Sequence, residues 1–116
     1  MRDLLLQCAG VLTIVVALIH GYLGEAKVFA RARIEPERLR TLIRLVWQAS
    51  TVAWIGGGVL LIAVPWMQSE PARRWIVITM VCVFGFSALA NTWATRGRHF
   101  GWMMLSVVVA LAVAGY

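Results

Sequence analysis

The sequence has none of the short motifs that mark the common classes of soluble enzyme. It contains no G-x-S-x-G, no H-E-x-x-H and no phosphate-binding P-loop, and its apolar stretches hold no pair of carboxylates. Its two cysteines, Cys8 and Cys82, have no cysteine or histidine at ligand spacing, so we interpret them as small buried hydrophobes. These absences favour a protein that is not an enzyme, and they predict no metal site and no cofactor.

Histidines and acidic residues are also scarce. His99 stands in a turn beside Arg98, and we interpret it as a solvated contact to lipid headgroups. Two histidines, one of them at the interface, give little support for haem ligation. Five acidic residues against eleven basic ones give a net charge of +6. Nearly all the basic residues flank apolar stretches, so they indicate membrane topology and headgroup contacts and not nucleic-acid binding.

Apolar residues, by contrast, make up 61% of the chain, and its mean hydropathy is +0.81. Each of four apolar stretches approaches the roughly 20 residues that cross a hydrocarbon core of about 30 Å. Backbone groups in lipid must be hydrogen-bonded within their own segment, so these stretches are expected to be helices. The sequence therefore predicts an all-α, four-transmembrane-helix bundle, a single domain over residues 1–116 with spans at about 4–23, 45–66, 75–94 and 100–116.

Local signals support these boundaries. Glu35-Pro36-Glu37 and Ser69-Glu70-Pro71 are typical helix starts, because proline fits the first turn and acids suit the positive end of the helix dipole. Tryptophans cluster at membrane interfaces, and all but the mid-span Trp54 fall at predicted span ends, namely Trp47, Trp66, Trp75, Trp93 and Trp102.

Basic residues are distributed unevenly between the two sides of the predicted bundle. The first and third connections hold 6 + 2 = 8 of them: Lys27, Arg31, Arg33, Arg38, Arg40 and Arg44, then Arg96 and Arg98. The other side holds 3, namely Arg2, Arg73 and Arg74. The positive-inside rule then predicts cytoplasmic first and third connections and both termini outside.

Small residues predict where helices approach closely, because lipid supplies no hydrophobic drive between them. Three such stripes are Ala17, Gly21 and Gly24 in the first span, Ala49, Ala53 and Gly57 in the second, and Ala110 with Ala114 in the fourth. The run Gly56-Gly57-Gly58 is either a hinge or a site of close packing, and we favour packing. The number of stripes also predicts a homo-oligomer.

Polar residues inside the spans are the candidate functional residues. His20, Gln48 and Asn91 each lie about one turn inside the same membrane face, and Ser106 lies a turn or two inside it. Glu25 lies about 140° around the helix from His20, so we expect it to pair with Lys27 or Arg44. This polar layer is either a site for a small solute or ion, or interhelical hydrogen bonding worth about 0.6 kcal/mol per contact.

The run His20-Gly21-Tyr22-Leu23-Gly24-Glu25, followed by a basic connection and Trp47-Gln48, resembles a group of small bacterial inner-membrane proteins. These have four spans, an H-x3-G-E run in the first helix and no assigned function. The resemblance covers mainly the first two spans. It implies a multi-pass protein of the bacterial inner membrane and no activity. In such a protein the positive-inside rule predicts periplasmic termini. Members of the group often carry histidine where this chain has Gln48, so a two-histidine metal or haem site is not implied.

Three functions remain open from the sequence. The first is binding or transport of a small solute or ion through the polar layer. The second is an accessory or scaffold subunit of a membrane complex, in which the polar residues only hold helices together. The third is a membrane enzyme that acts on a lipid-like substrate.

The basic residues generate a topology prediction. Alkaline phosphatase fused after Tyr116 should be active and green fluorescent protein fused there should be dark, because the positive-inside rule places that end in the periplasm. Bright fluorescence with inactive phosphatase would show the opposite orientation.

Overall fold

The computed structural model describes all 116 residues, and they form four α-helices with no strands. The all-α four-helix prediction is therefore confirmed. The helices are α1 (Arg2–Leu23), α2 (Glu37–Ala63), α3 (Glu70–Thr95) and α4 (Gly101–Gly115). A π-helical segment, Gly24–Phe29, continues α1, and a 3-10 turn, Val64–Trp66, continues α2.

Three of the helical stretches are long and apolar enough to cross a membrane: Arg2–Phe29, Glu37–Trp66 and Glu70–Thr95, with 28, 30 and 26 residues. The fourth helix has 15 residues, which is about 22 Å at a rise of roughly 1.5 Å per residue. Large apolar side chains cover the outside of the bundle, and Trp93 is 89% exposed. Such a surface suits a hydrocarbon solvent, in which exposed apolar groups carry no hydration penalty.

The predicted helix starts match the observed ones. Pro36 precedes α2 in an extended conformation, and Ser69 precedes α3, with its hydroxyl oxygen accepting a hydrogen bond from the Ala72 amide at 3.4 Å. The α3–α4 turn needs backbone in the left-handed region, which Arg96 (φ 51°) and Gly97 (φ 72°) supply. The glycine adopts this conformation without a steric penalty.

The two ends of the bundle differ in charge. We call one the basic end, defined by residues 24–44 and the turn 96–100, and the other the terminal end, defined by residues 1–3, 67–73 and 116. At the terminal end Tyr116 donates a hydrogen bond to Glu70 at 2.9 Å. Arg73 lies 3.8 Å from Asp3 and 4.0 Å from Glu70. These contacts tie the ends of α1, α3 and α4 together.

Helix α1 lies between α2 and α4, α3 packs against α4, and α2 and α3 touch only sparingly. The core runs through the middle of the bundle and includes Leu6, Val16, Leu61, Phe84 and Val108. Because α2 and α3 are the least closely packed neighbours, side chains rather than backbones fill much of the space between them. One such contact is the edge-on packing of Trp54 against Phe84 at 6.0 Å between ring centroids.

Two glycines set the crossing of α1 and α2. A Cβ atom on Gly58 would lie 2.7 Å from the carbonyl oxygen of Gly10 and 2.7 Å from Ile14 Cγ1. A Cβ atom on Gly57 would lie 2.6 Å from Met80 Sδ, whereas one on Gly56 would meet nothing within 4 Å. Two of the three consecutive glycines therefore serve close packing within an unbroken helix, in agreement with the favoured interpretation.

Several small residues lie elsewhere than the sequence predicts. Ala17, Gly21 and Gly24 are buried, but Ala49, Ala53, Ala110 and Ala114 are exposed, and so are both cysteines. The buried side of α4 is instead formed by Leu105, Val108 and Ala112. The prediction of buried cysteines is wrong. The stripe on α2 is divided, since Gly57 is buried whereas Ala49 and Ala53 face outward, and the role of the outward-facing alanines as contact faces stays a prediction. A helix that is apolar on all sides gives no sequence signal for which side faces its neighbours.

The glycine crossing generates a matched pair of substitutions. Gly58→Ala should lower the free energy of unfolding by about 1–3 kcal/mol, the usual cost of overpacking a tight contact. Gly56→Ala should be neutral or stabilising by up to about 1 kcal/mol, because alanine is the better helix former and the site is open. Unfolding of both variants in one detergent, against the parent chain, measures the difference. Equal behaviour of the two variants would contradict the close crossing.

Candidate functional site

His20, near the end of α1, lies between two tryptophans of α2. Its ring stacks on Trp47 with centroids 4.3 Å apart and an interplanar angle of 3°, and its centroid is 4.6 Å from that of Trp54 at 34°. Positions 47 and 54 are two helical turns apart, about 10.5 Å along the axis, which leaves room for one ring between the indoles. Both faces of the imidazole are therefore covered, and only the two nitrogen atoms on its edge remain available for hydrogen bonds.

The hydrogen bonds around His20 assign its tautomer. The hydroxyl of Ser50 donates its only proton to the carbonyl oxygen of Trp47 at 2.6 Å. The 3.1 Å contact between Ser50 Oγ and His20 Nε2 must then have the imidazole as donor. In the neutral ring this leaves Nδ1 as an acceptor, and no group of the protein donates to it.

Side chains of α2 donate hydrogen bonds to the π-helical segment that follows His20 and to the residues before it. We call this group of side chains, Arg40, Trp47 and Gln48 of α2 together with Glu25, the brace. The Trp47 indole donates to the carbonyl oxygen of His20 at 3.0 Å, and the Gln48 amide donates to that of Gly21 at 3.1 Å. At the far end, Arg40 donates to the Phe29 carbonyl oxygen at 2.6 Å. π-Helical turns are rare in proteins, and those that occur often lie at functional sites. Here side chains of the neighbouring helix donate hydrogen bonds to backbone carbonyls at both ends of the turn.

Gly24 is the residue that lets the indole of Trp47 approach this segment. A Cβ atom at position 24 would overlap the Nε1 atom of the indole. The glycine of the H-x3-G-E run is therefore required by the contact that Trp47 makes. The residues that carry the sequence resemblance in the first two spans thus meet in space.

Glu25 pairs with Arg44, one of its two predicted partners. The Arg44 Nε atom lies 3.0 and 2.8 Å from the two carboxylate oxygens, and its terminal nitrogen lies 2.7 Å from Oε2. The amide of Gln48 also donates to Glu25 Oε1 at 2.9 Å. Both charged side chains are partly exposed, so the pair sits at the surface of the basic end and links the π-helical segment to α2.

A cavity of about 200 Å³ opens beside this network, between α1, α2 and the α3–α4 turn. It is smaller than the roughly 300–1,000 Å³ of sites for drug-sized molecules. Its polar lining comes from His20, Asn91, Thr95 and His99. The remaining lining residues are mostly apolar or aromatic: Val16, Ile19, Leu23, Val28, Trp47, Trp54, Phe100, Gly101, Met104 and Leu105.

Asn91 lines this cavity and also carries an enclosed polar atom without a partner. Its Oδ1 atom is fully enclosed and has no hydrogen-bond partner. The hydroxyl of the neighbouring Thr95 does not serve it, because that hydroxyl donates to the backbone carbonyl of Asn91 at 2.7 Å. Buried acceptors are nearly always paired in native proteins, so this atom is an exception, and in this arrangement of the side chain no donor fits beside it.

His99 is half-buried and lines the cavity, so the interpretation of it as a solvated headgroup contact is wrong. The Gly101 amide donates to His99 Nδ1 at 3.0 Å, and the ring stacks on Phe100 with centroids 4.5 Å apart. In the neutral ring Nε2 then carries the proton. The left-handed turn at Arg96 and Gly97 brings position 99 back over the end of α3, which spacing in the sequence does not reveal.

The structure divides the predicted polar layer into two adjacent groups. His20 and Asn91 line the cavity. Gln48 and Glu25 belong to the brace of the π-helical segment, and Trp47 contacts both groups. Ser106 lies apart from both, since it is exposed and its hydroxyl donates to the Trp102 carbonyl oxygen at 2.7 Å.

The cavity has few means of holding an ion. Its lining includes no carboxylate and no lysine or arginine. No group of three or more histidine, cysteine or acidic side chains comes together anywhere in the chain to hold a metal ion. The polar groups that remain are amide, hydroxyl and imidazole, which act through hydrogen bonds.

Comparison with protein families, with curated proteins and with solved structures gives no significant match to this chain.

The brace generates a stability prediction. Gln48→Leu should remove the amide hydrogen bonds to the Gly21 carbonyl oxygen and to Glu25 Oε1, which together contribute about 1–3 kcal/mol. Amide hydrogen exchange in residues 24–29 should rise as the segment loosens. The matched control is Gln68→Leu, which removes an exposed amide at the terminal end. Unchanged exchange in 24–29 for Gln48→Leu would show that the brace is not needed.

Proposed function

We propose that this protein binds a small solute in the cavity at its basic end. In this proposal the chain is a multi-pass protein of the bacterial inner membrane, and the basic end faces the cytoplasm. The positive-inside rule supports that orientation, and the sequence resemblance supports that location. The site then lies in the cytoplasmic half of the bilayer, within reach of molecules from either the cytoplasm or the membrane.

The observation that carries the proposal is the convergence of four polar side chains, His20, Asn91, Thr95 and His99, on a cavity whose other lining is mostly apolar or aromatic. Convergence of a few polar groups in an apolar pocket is the usual form of a small-molecule site.

The cavity does not continue through the bundle to the other end, and this supports binding of a solute more directly than its conduction. Val16, Trp54 and Leu105 line its inner part, and the packed residues Leu61, Phe84 and Val108 fill the bundle beyond. Transport through the bundle would require a second arrangement of the helices that opens this core.

A second candidate is an accessory subunit. The stripes Ala49/Ala53 on α2 and Ala110/Ala114 on α4 face outward, and small residues on a lipid-exposed face suit contact with another membrane helix. A homo-oligomer or a partner subunit would use these faces. This role is compatible with a bound solute, since the outward stripes and the cavity are separate parts of the molecule.

The membrane-enzyme alternative has less support. Ser50 and His20 are within hydrogen-bond distance, but the serine proton is directed to the Trp47 carbonyl oxygen, and the imidazole donates to the serine. This is the reverse of a nucleophile activated by a base. Ser50 also does not line the cavity.

Filling the cavity tests the proposal with an internal control. Met104 lines the cavity, whereas Met103 is 48% exposed on the outside of the same helix. Met104→Trp should abolish stabilisation by any bound solute, and Met103→Trp should retain it. A solute present at 100 times its Kd should stabilise the folded chain by about 2.7 kcal/mol.

The measurement is thermal unfolding in lipid nanodiscs against a panel of neutral, anionic and cationic small molecules. We expect at least one molecule to give saturable stabilisation of the parent chain and of Met103→Trp, but not of Met104→Trp. If the parent chain and Met104→Trp respond alike to the whole panel, the cavity is not a binding site and the accessory role stands alone.

A further inference from the structure

The charge of the lining narrows the class of molecule that fits the cavity, and this step rests on the proposed binding function. An ionised ligand would lose its hydration on entering a mostly apolar pocket, and this loss is large unless an opposite charge compensates for it. The lining includes no carboxylate that could pair with a cation, and no lysine or arginine that could pair with an anion. The ligand is therefore neutral.

The volume limits the ligand to about one ring. An engineered apolar cavity of about 150 Å³ in another protein binds benzene, and this cavity is about 200 Å³. A six-membered ring with one small planar substituent matches that space. The lining includes Phe100, Met104 and Leu105, and such side chains pack well against the edge and face of an aromatic ring.

The hydrogen-bond donors of the lining have no partners in the protein. The amide nitrogen of Asn91 and the indole nitrogen of Trp54 donate to no protein group, and both keep accessible surface, whereas the Asn91 Oδ1 atom has none. The Nδ1 atom of His99 accepts from the Gly101 amide, so in the neutral ring Nε2 is a third donor. A molecule that brings an acceptor can therefore pair with groups on α2, on α3 and in the turn before α4.

Acceptors are fewer on the same lining. The tautomer assigned to His20 leaves its Nδ1 atom as an acceptor without a partner. The Thr95 hydroxyl already takes part in a hydrogen bond, because it donates to the Asn91 carbonyl oxygen at 2.7 Å. Unpartnered donors thus outnumber unpartnered acceptors, and the ligand that satisfies most of them is one that accepts.

The position of Gly101 keeps the Asn91 amide nitrogen open to such a ligand. A Cβ atom at position 101 would lie 3.3 Å from Asn91 Nδ2 and 2.9 Å from His99 Nδ1. The side chains of Asn91 and His99 therefore flank one point of the lining, and no side chain from α4 covers the amide nitrogen there.

We infer that the cavity binds a neutral, ring-sized carbonyl compound, of the aryl ketone or quinone class, and that its carbonyl oxygen accepts a hydrogen bond from the Asn91 amide nitrogen. A carbonyl oxygen has two lone pairs and no proton, so it complements a lining in which donors predominate. The apolar ring packs against the aromatic and aliphatic side chains, and a molecule of this class also partitions into the bilayer beside the site.

Four probes of nearly identical shape test the inference: acetophenone, α-methylstyrene, in which a CH2 group replaces the carbonyl oxygen, and the ions benzoate and benzamidinium. Binding is measured by saturation-transfer NMR on the protein in nanodiscs, with the signal of Met104→Trp subtracted to remove partition into lipid. Acetophenone should bind the parent chain about tenfold or more tightly than α-methylstyrene, because the hydrocarbon covers the amide N–H and leaves it unpaired. Both ions should bind at least about tenfold more weakly than acetophenone, because the lining offers neither of them an opposite charge.

Asn91→Leu removes the amide donor and keeps a side chain of similar shape. It should weaken acetophenone binding about tenfold and leave α-methylstyrene binding unchanged within about twofold. Ser106→Ala, which alters an exposed hydroxyl away from the cavity, is the matched control and should leave both affinities unchanged.

Equal affinity of the parent chain for acetophenone and α-methylstyrene would overturn the carbonyl class, and tightest binding of either ion would overturn the neutral class. Full acetophenone affinity in Asn91→Leu would overturn the assigned donor. In each case the cavity would still be a solute site. If no probe binds, the inference fails alone when the wider panel gives saturable binding that Met104→Trp removes. It fails together with the proposed function when that panel is also negative.

Discussion

The pairing of α1 with α2 is the interaction on which the rest of the structure depends. At mid-membrane it is a contact of bare backbone, since neither Gly10 nor Gly58 has room for a Cβ atom. At the basic end it becomes a set of hydrogen bonds from Trp47, Gln48 and Arg40 to backbone carbonyls of the first helix. The two helices are therefore held in one register by polar bonding as well as by packing.

This register creates the candidate site. Once α2 supplies donors to the π-helical segment, its Trp47 and Trp54 enclose the imidazole of His20 and leave one edge of that ring free. The α3–α4 turn completes the cavity by placing His99 near the end of α3 that carries Asn91. Rigid pairing on one side and a tight turn on the other keep a small space open inside a bundle that is otherwise packed.

The elements of the fold follow closely from the sequence, whereas the rotation of each helix does not. Ser69-Glu70-Pro71 predicts the start of α3 because a cap and a first-turn proline have local causes. The fixed rise per residue also predicts which positions share a depth in the bundle, and His20 and Asn91 do line one cavity, next to the residues that define the basic end. Ser106 shares that approximate depth but faces outward, because an all-apolar helix such as α4 carries no polar face to reveal its phase.

The position of His99 beside the cavity could not be predicted from the sequence either, because it depends on a left-handed turn at Arg96 that is seen only in the folded chain. The central claim is that the cavity lined by His20, Asn91, Thr95 and His99 holds a bound molecule, and a high-resolution density map of the protein purified with its native lipids tests this most directly. We expect non-protein density in the cavity within about 3 Å, the usual length of a hydrogen bond, of at least one of these four polar side chains. An Asn91 side chain bonded to other protein groups, with the cavity closed by its own lining residues, would contradict it.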